Sequence, residues 1–196
     1  MRRAPGQPRR RFDPWALALA LVTILYPFVV FFAVKAGQTV WVVAGLCGFL
    51  LLRVVFGVGK RAPLGLVLAP AAVAVAMGGL MLWDAERAVR FYPVFMNAAM
   101  LAAFGASLVK GPSMIERLAR IAEPDLPEAG VRYTRKVTWV WCGFLLLNGL
   151  AALWTALIAS LAVWTLYNGL IAYLLMGALF GGEFLVRRTV RKGEAA

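Results

Sequence analysis

Apolar residues run along this chain in long blocks separated by short polar strips, and most blocks are close to twenty residues long. At 1.5 Å of rise per residue, about twenty helical residues cross a hydrocarbon core of roughly 30 Å. Six windows of that kind stand out, at about 14–34, 39–59, 63–83, 91–110, 137–157 and 160–184. Hydrocarbon offers backbone N–H and C=O groups no partner, and the windows show no period-two alternation, so each predicts a helix. Pro27 in the first window, and Pro63 and Pro70 in the third, predict local bends. The expected fold is all-α: a polytopic membrane helical bundle with six transmembrane helices.

The longest polar interval between the ends, Lys110 to Lys136, separates four of these windows from the last two. Within it, Ser113 and Glu116 stand in S-x-x-E spacing, in which a serine caps the third helical amide and the glutamate reaches back. This predicts a short helix over about 114–122, ended by Pro124. Its apolar side carries Met114, Ile115, Leu118 and Ile121, and its polar side Glu116, Arg117 and Arg120. A basic amphipathic helix tethered between spans is expected to lie among anionic headgroups, where each Lys or Arg gains about 1 kcal/mol. Ser113, Glu116, Arg117 and Arg120 are therefore the candidate interfacial residues, with docking of a partner protein as the alternative.

Composition strengthens the membrane reading. The chain is 62% hydrophobic and 15% charged, against about 45–50% and about 25% in soluble domains. Its net charge of +12 does not point to nucleic acid, because the basic residues lie in strips between apolar runs instead of on one soluble face. Eighteen of the 21 basic residues fall in the N-terminal stretch, the second turn, the long loop and the C-terminal end; only Lys35, Arg87 and Arg90 fall on the other side. The positive-inside rule then places both termini and the long loop in the cytoplasm, an N-in/C-in topology. Residues 1–13 read as a disordered basic tail, 14–185 as the membrane domain with its loop at 111–136, and 186–196 as a second basic tail. The arginines ahead of the first window resemble a twin-arginine export signal, but the window is longer than a signal core and reads as an uncleaved helix. Trp15, Trp41, Trp83, Trp139, Trp141 and Trp154 lie near window ends, where interfacial anchors belong.

Candidate chemistry is sparse. Histidine is absent, which removes the commonest general base and metal ligand. Cys47 and Cys142 sit inside apolar runs without metal-ligand spacing and read as small packing side chains. No catalytic, metal or cofactor residues are assigned, and cofactors are expected to be none. The candidate intramembrane polar site is Asn97, Asn148, Asn168 and Tyr92, since polar groups in hydrocarbon are costly unless bonded. Leu147-Asn148-Gly149-Leu150 and Tyr167-Asn168-Gly169-Leu170 echo one another. An antiparallel hairpin would set both asparagines at similar depth, with the glycines letting the two backbones approach. Gly177 and Gly181 make a small-xxx-small pattern that leaves a homo-oligomer open. Arg53 and Glu183 are a candidate ion pair, although Glu183 also precedes Arg187 by one helical turn. Asp84, Glu86, Tyr92 and Glu123 are the groups from which acid-base chemistry would have to come.

Gly78-Gly79-Leu80-Met81-Leu82-Trp83-Asp84, the basic loop, the aromatic-rich fifth window and Asn148-Gly149 together resemble the septation protein A family of small bacterial inner-membrane proteins. More closely, Phe91-Tyr92-Pro93-Val94, Asn97, Ser107-Leu108, Pro112 to Arg120 and Glu123-Pro124 resemble a sister family of predicted membrane proteins. Genes of that family lie beside those for fatty-acid-like and aryl-polyene products. At Tyr92 and Pro93 the chain departs from septation protein A, which carries a lysine and a threonine there; that counts against a division role. The resemblance implies a non-catalytic protein of cell-envelope or membrane-lipid homeostasis. Its partners would be membrane lipids and envelope or acyl-biosynthesis proteins, with no nucleic acid. A small transporter or flippase-like helper for a lipid-linked product is the alternative, and a membrane-embedded lipid-modifying enzyme the third.

Overall fold

A computed structural model describes residues 14–56 and 64–193, and these are helical throughout apart from turns. The elements are α1 (Pro14–Lys35), α2 (Thr39–Phe56), α3 (Leu64–Met81), α4 (Ala85–Lys110), α5 (Met114–Ala122) and α6 (Glu128–Leu157). After them comes one rod made of α7 (Leu161–Leu166), a π-helical turn (Tyr167–Ile171) and α8 (Ala172–Gly193). The six windows thus correspond to six long helical rods among the described residues, and the short helix has the predicted bounds. The stretch read as a basic C-terminal tail is helical to Gly193, so α8 carries its arginines on a continuous rod. The N-terminal stretch 1–13 and the basic pair Lys60 and Arg61 lie outside the described residues.

Among the described residues, Ala85–Lys110, Glu128–Leu157 and Leu161–Arg188 are long and apolar enough to cross a membrane. The apolar stretches described in the first three rods are shorter: Leu25–Lys35, Thr39–Leu52 and Leu68–Met81. Burial supports a membrane setting independently. Asn97, Asn148, Asn168, Thr138 and Thr155 are buried, whereas Leu147 at 69% and Leu174 at 63% are exposed in mid-helix. A water-soluble domain distributes polar and large apolar groups the other way. In hydrocarbon the arrangement is the stable one, because polar groups need protein partners and leucine needs none.

α4 is the organising rod, packing against α3, α6 and α2, while α1 packs against α2, α7 and the π turn. Two apolar clusters lie along it. The first joins Tyr26 and Val30 of α1, Val43 and Leu50 of α2, Val73 and Met77 of α3, Val89 of α4 and Trp164 of α7. The second joins Phe104 and Leu108 of α4, Met114 of α5, and Trp141 and Leu145 of α6. Cys142 is buried in that second cluster, and the Cys47 thiol points at the Ala74 carbonyl, 3.7 Å away. Trp41, Trp83, Trp139 and Trp154 are exposed, as anchors should be. Trp141 departs from that expectation: it is buried against Phe104, Phe144 and Phe180, because its position on α6 faces α4 and α8.

Pro93 illustrates how sequence becomes tertiary structure here. Lacking an N–H, it leaves the carbonyl of Val89, one turn earlier, without its helical donor. The buried hydroxyl of Tyr26 on α1 donates to that carbonyl at 2.8 Å. The defect in one helix thereby becomes a bond between two.

Candidate functional site

The polar centre of the bundle lies between the two apolar clusters. Asn97 of α4 donates from Nδ2 to the Pro93 carbonyl at 2.8 Å, which turns its Oδ1 toward α6. There the Nδ2 of Asn148 donates to Asn97 Oδ1 at 3.1 Å. The Tyr167 hydroxyl then donates to Asn148 Oδ1 at 3.0 Å. Three rods are therefore joined by one chain of side-chain hydrogen bonds, each worth roughly 0.6–2 kcal/mol in a membrane interior. Of the candidate set, Asn97 and Asn148 are brought together, and Tyr167 is added. Tyr92 joins a different contact, its ring packed edge-on to Tyr26 with centroids 4.7 Å apart.

Asn168 does not bond to Asn148. Its Nδ2 donates to Thr155 Oγ1 at 3.2 Å and to the Trp164 carbonyl at 2.9 Å. The second bond, to the carbonyl four residues earlier, repeats the one Asn97 makes to Pro93. The glycines of the echo also face different partners. A Cβ on Gly149 would lie 3.1 Å from Asn97 Cβ, and one on Gly169 would lie 3.1 Å from the Phe28 ring and 3.3 Å from Pro27. Gly149 thus admits α4 and Gly169 admits α1; the expected mutual approach of the two echoed glycines does not occur. Around Gly177 and Gly181 an added Cβ meets nothing within 4 Å.

At the C-terminal end of α4, the predicted capping box is not formed. Ser113 occupies the N-cap position of α5 but makes no side-chain cap bond, and its hydroxyl is buried without a partner. Glu116 turns instead to Arg120, whose nitrogens lie 2.9 and 3.0 Å from one carboxylate oxygen. The amides at the start of α5 are satisfied from other helices. Met114 N donates to Ser107 Oγ of α4 at 2.8 Å, and Ile115 N to Thr138 Oγ1 of α6 at 3.3 Å. Arg117 donates to the carbonyls of Pro112 at 2.8 Å and Gly111 at 3.3 Å, and Arg135 to that of Leu108 at 3.0 Å. Met114 and Ile115 pack into the second cluster, whereas Leu118 and Ile121 are exposed.

The proposed partner of Glu183, the Arg53 side chain, lies outside the described residues. Glu183 is 3.5 Å from Arg187 and accepts from the Tyr133 hydroxyl at 3.3 Å.

At the N-terminal end of α4, Asp84 caps the helix, accepting from Arg87 N at 3.0 Å, and pairs with the Arg87 guanidinium at 3.2 Å. Arg90 reaches across to α6 and donates from Nη2 to the carbonyl of Thr155 at 3.1 Å and to that of Ala159. The Thr155 carbonyl belongs to the last turn of α6, which has run out of its own N–H groups, and the Ala159 carbonyl to the turn that follows, so a cation is the fitting cap. Trp164 Nε1 donates to the Arg90 carbonyl at 3.0 Å and locks the same turn to α7. Beside this node opens a cavity of about 610 Å³, lined by Asp84, Glu86, Arg87 and Arg90 and by Leu80, Phe91, Phe95, Ala156 and Leu157.

Asp84 and Glu86 therefore share one cleft, but Glu123 terminates α5 beyond the other end of α4. The 26 residues of α4, about 39 Å long, lie between the Asp84–Glu86 end and the turn from which α5 starts. The three acids cannot converge on one headgroup. Sequence reasoning missed Tyr26, Ser107, Thr138, Thr155, Trp164 and Tyr167, and read Arg90 only as a loop charge; the signal that could have pointed to Tyr26 is Pro93, through the carbonyl it leaves open. No group of three or more Cys, Asp or Glu suited to a metal ion occurs among the described residues. Compared with known proteins, the chain matches no family model, no curated protein and no solved structure.

Proposed function

We propose that this chain is a non-catalytic, multi-pass protein of the bacterial inner membrane, with six spans and both termini in the cytoplasm. It acts as a scaffold or accessory in cell-envelope or membrane-lipid homeostasis, beside envelope or acyl-product machinery. The observation that carries this reading is the fate of the buried asparagines. Asn97 and Asn148 are bonded to each other and Asn168 to Thr155, which spends on interhelical bonding the amides a transported substrate would need. The likeness of the sequence to the septation protein A-like families points the same way. For a lipid-modifying enzyme the acids are wrongly placed, Asp84 and Glu86 at one end of α4 and Glu123 at the other.

Topology is tested by alkaline phosphatase fusions: those after Ala36 or Arg87 should be active, and those after Arg61, Asp125 or Arg191 inactive. The reverse pattern would overturn the orientation. The role is tested by comparing the lipids of a deletion strain with its parent, and by complementing with Asp84→Ala, Glu86→Ala and Glu123→Ala combined. Full rescue is expected of a scaffold; a lost rescue with normal membrane levels of the variant would restore the enzyme.

A further inference from the structure

The cleft at the N-terminal end of α4 is not used by the scaffold role. Its volume, about 610 Å³, lies within the roughly 300–1,000 Å³ of small-molecule sites. It is amphipathic: two carboxylates and two guanidiniums line one part, and Phe91, Phe95 and Leu157 the other. The four charges are committed to different degrees. Asp84 and Arg87 form a close pair at 3.2 Å, and Asp84 is also held as the cap of α4. Arg90 spends Nη2 on the Thr155 and Ala159 carbonyls, and its Nε is buried without a partner. Its nearest carboxylate, Glu86, stands 3.7 Å from Nη1, beyond hydrogen-bond length. Arg90 is therefore a cation only 17% exposed whose charge is met by carbonyl dipoles and one loose carboxylate, while the Glu86 side chain is 48% exposed at the rim.

A simple anion entering here would gain Arg90 and be repelled by Glu86; a simple cation would meet the reverse. A ligand carrying both signs a few ångströms apart satisfies both, and a hydrocarbon tail has Phe91, Phe95 and the exposed Leu157 to lie on. We propose that this cleft binds the headgroup of a zwitterionic amphiphile of the aminophospholipid class. The phosphate accepts from Arg90 Nη1 and Arg87, the primary ammonium donates to Glu86, and an acyl chain follows Phe91 and Phe95. This rests on the membrane placement proposed above and is independent of the scaffold role.

The test is native mass spectrometry of the full chain released from detergent micelles. The micelles are titrated with phosphatidylethanolamine, phosphatidylcholine and phosphatidylglycerol of identical acyl chains. Phosphatidylethanolamine should be retained about fivefold more than phosphatidylcholine, whose quaternary nitrogen has no N–H for Glu86, and more than the anionic lipid. Glu86→Gln should equalise the ethanolamine and choline lipids, and Arg87→Gln should weaken both. Circular dichroism and micelle elution of each variant check that it is folded. If a variant is not folded, competition on the wild-type chain decides: soluble phosphoethanolamine should displace the bound lipid and glycerol phosphate should not. Equal retention of the ethanolamine and choline lipids, preference for phosphatidylglycerol, or an unchanged preference in folded Glu86→Gln overturns the proposal. A chain that elutes monodisperse in detergent-free buffer would instead defeat the membrane placement beneath it.

Discussion

At the C-terminal end of α4, charge and hydroxyl groups are turned inward onto the backbone: Ser107 and Thr138 cap α5, and Arg117 and Arg135 donate to main-chain carbonyls. At the N-terminal end Asp84 and Arg90 are spent in this way, and Glu86 and Arg87 stand exposed around an open cleft. Both ends face the same problem, a helix terminus with unmet amides or carbonyls. One solves it by laying a short helix across the opening, whose first turn is bonded to the two rods beneath it. The other solves it with the Asp84 cap and one buried arginine, and leaves polar surface over. The contrast teaches that the loop helix is a fixed part of the bundle, and that any ligand chemistry is better sought at the opposite end.

Four substitutions break or sharpen this comparison. Arg90→Leu should have the largest effect, because the Thr155 carbonyl at the end of α6 and the Ala159 carbonyl in the turn after it lose a charged donor at about 1.5–3 kcal/mol each. A stability loss of about 3 kcal/mol is expected in denaturant unfolding of the micelle-bound protein; a loss below about 1 kcal/mol would mean the arginine is not the cap of that end. Ser107→Ala combined with Thr138→Ala should remove about 2 kcal/mol, in line with about 1 kcal/mol per helix cap. Its signature is local: amide exchange should quicken across Met114–Ala122 while α4 stays protected. If exchange there is unchanged, α5 is held by its apolar contacts alone.

Between the ends, a double-mutant cycle of Asn97→Ala and Asn148→Ala should give a coupling of about 0.6 kcal/mol, at most about 1.7, since they share one hydrogen bond. Additive losses would mean the amides do not communicate. The smallest effect belongs to Glu86→Gln, whose 3.7 Å contact is partly exposed. Global stability should move by no more than about 0.5 kcal/mol. A larger loss would show that the open end is braced as firmly as the closed one.

Much of the architecture could be read in advance from particular residues. Pro112 and Pro124 bracket α5, whose bounds match the prediction, because proline ends a helix by local geometry. The starts of α4 and α6 were less legible: Ala85–Arg90 and Glu128–Lys136 are helical yet carry charges that hydropathy windows exclude. The site was legible only in its members. Asn97, Asn148 and Asn168 announced themselves as polar groups in apolar runs, but their pairing did not follow from the echo of Asn-Gly-Leu. The insertion of α4 against Gly149, which sets Asn97 beside Asn148, decided it. Ser113 and Glu116 matched a local capping pattern that lost to tertiary donors and acceptors within reach.

Hydropathy along the chain was enough to determine the helices, their approximate ends and the need to bury the asparagines, because each depends on neighbours a few residues away. Which asparagine meets which partner, which hydroxyl caps α5, and that Arg90 closes α6 while a cleft opens beside it, were decided only in three dimensions. The physical reason is that a hydrogen bond is directional and reaches only about 3 Å, so its choice of partner depends on how helices distant in sequence are set against one another.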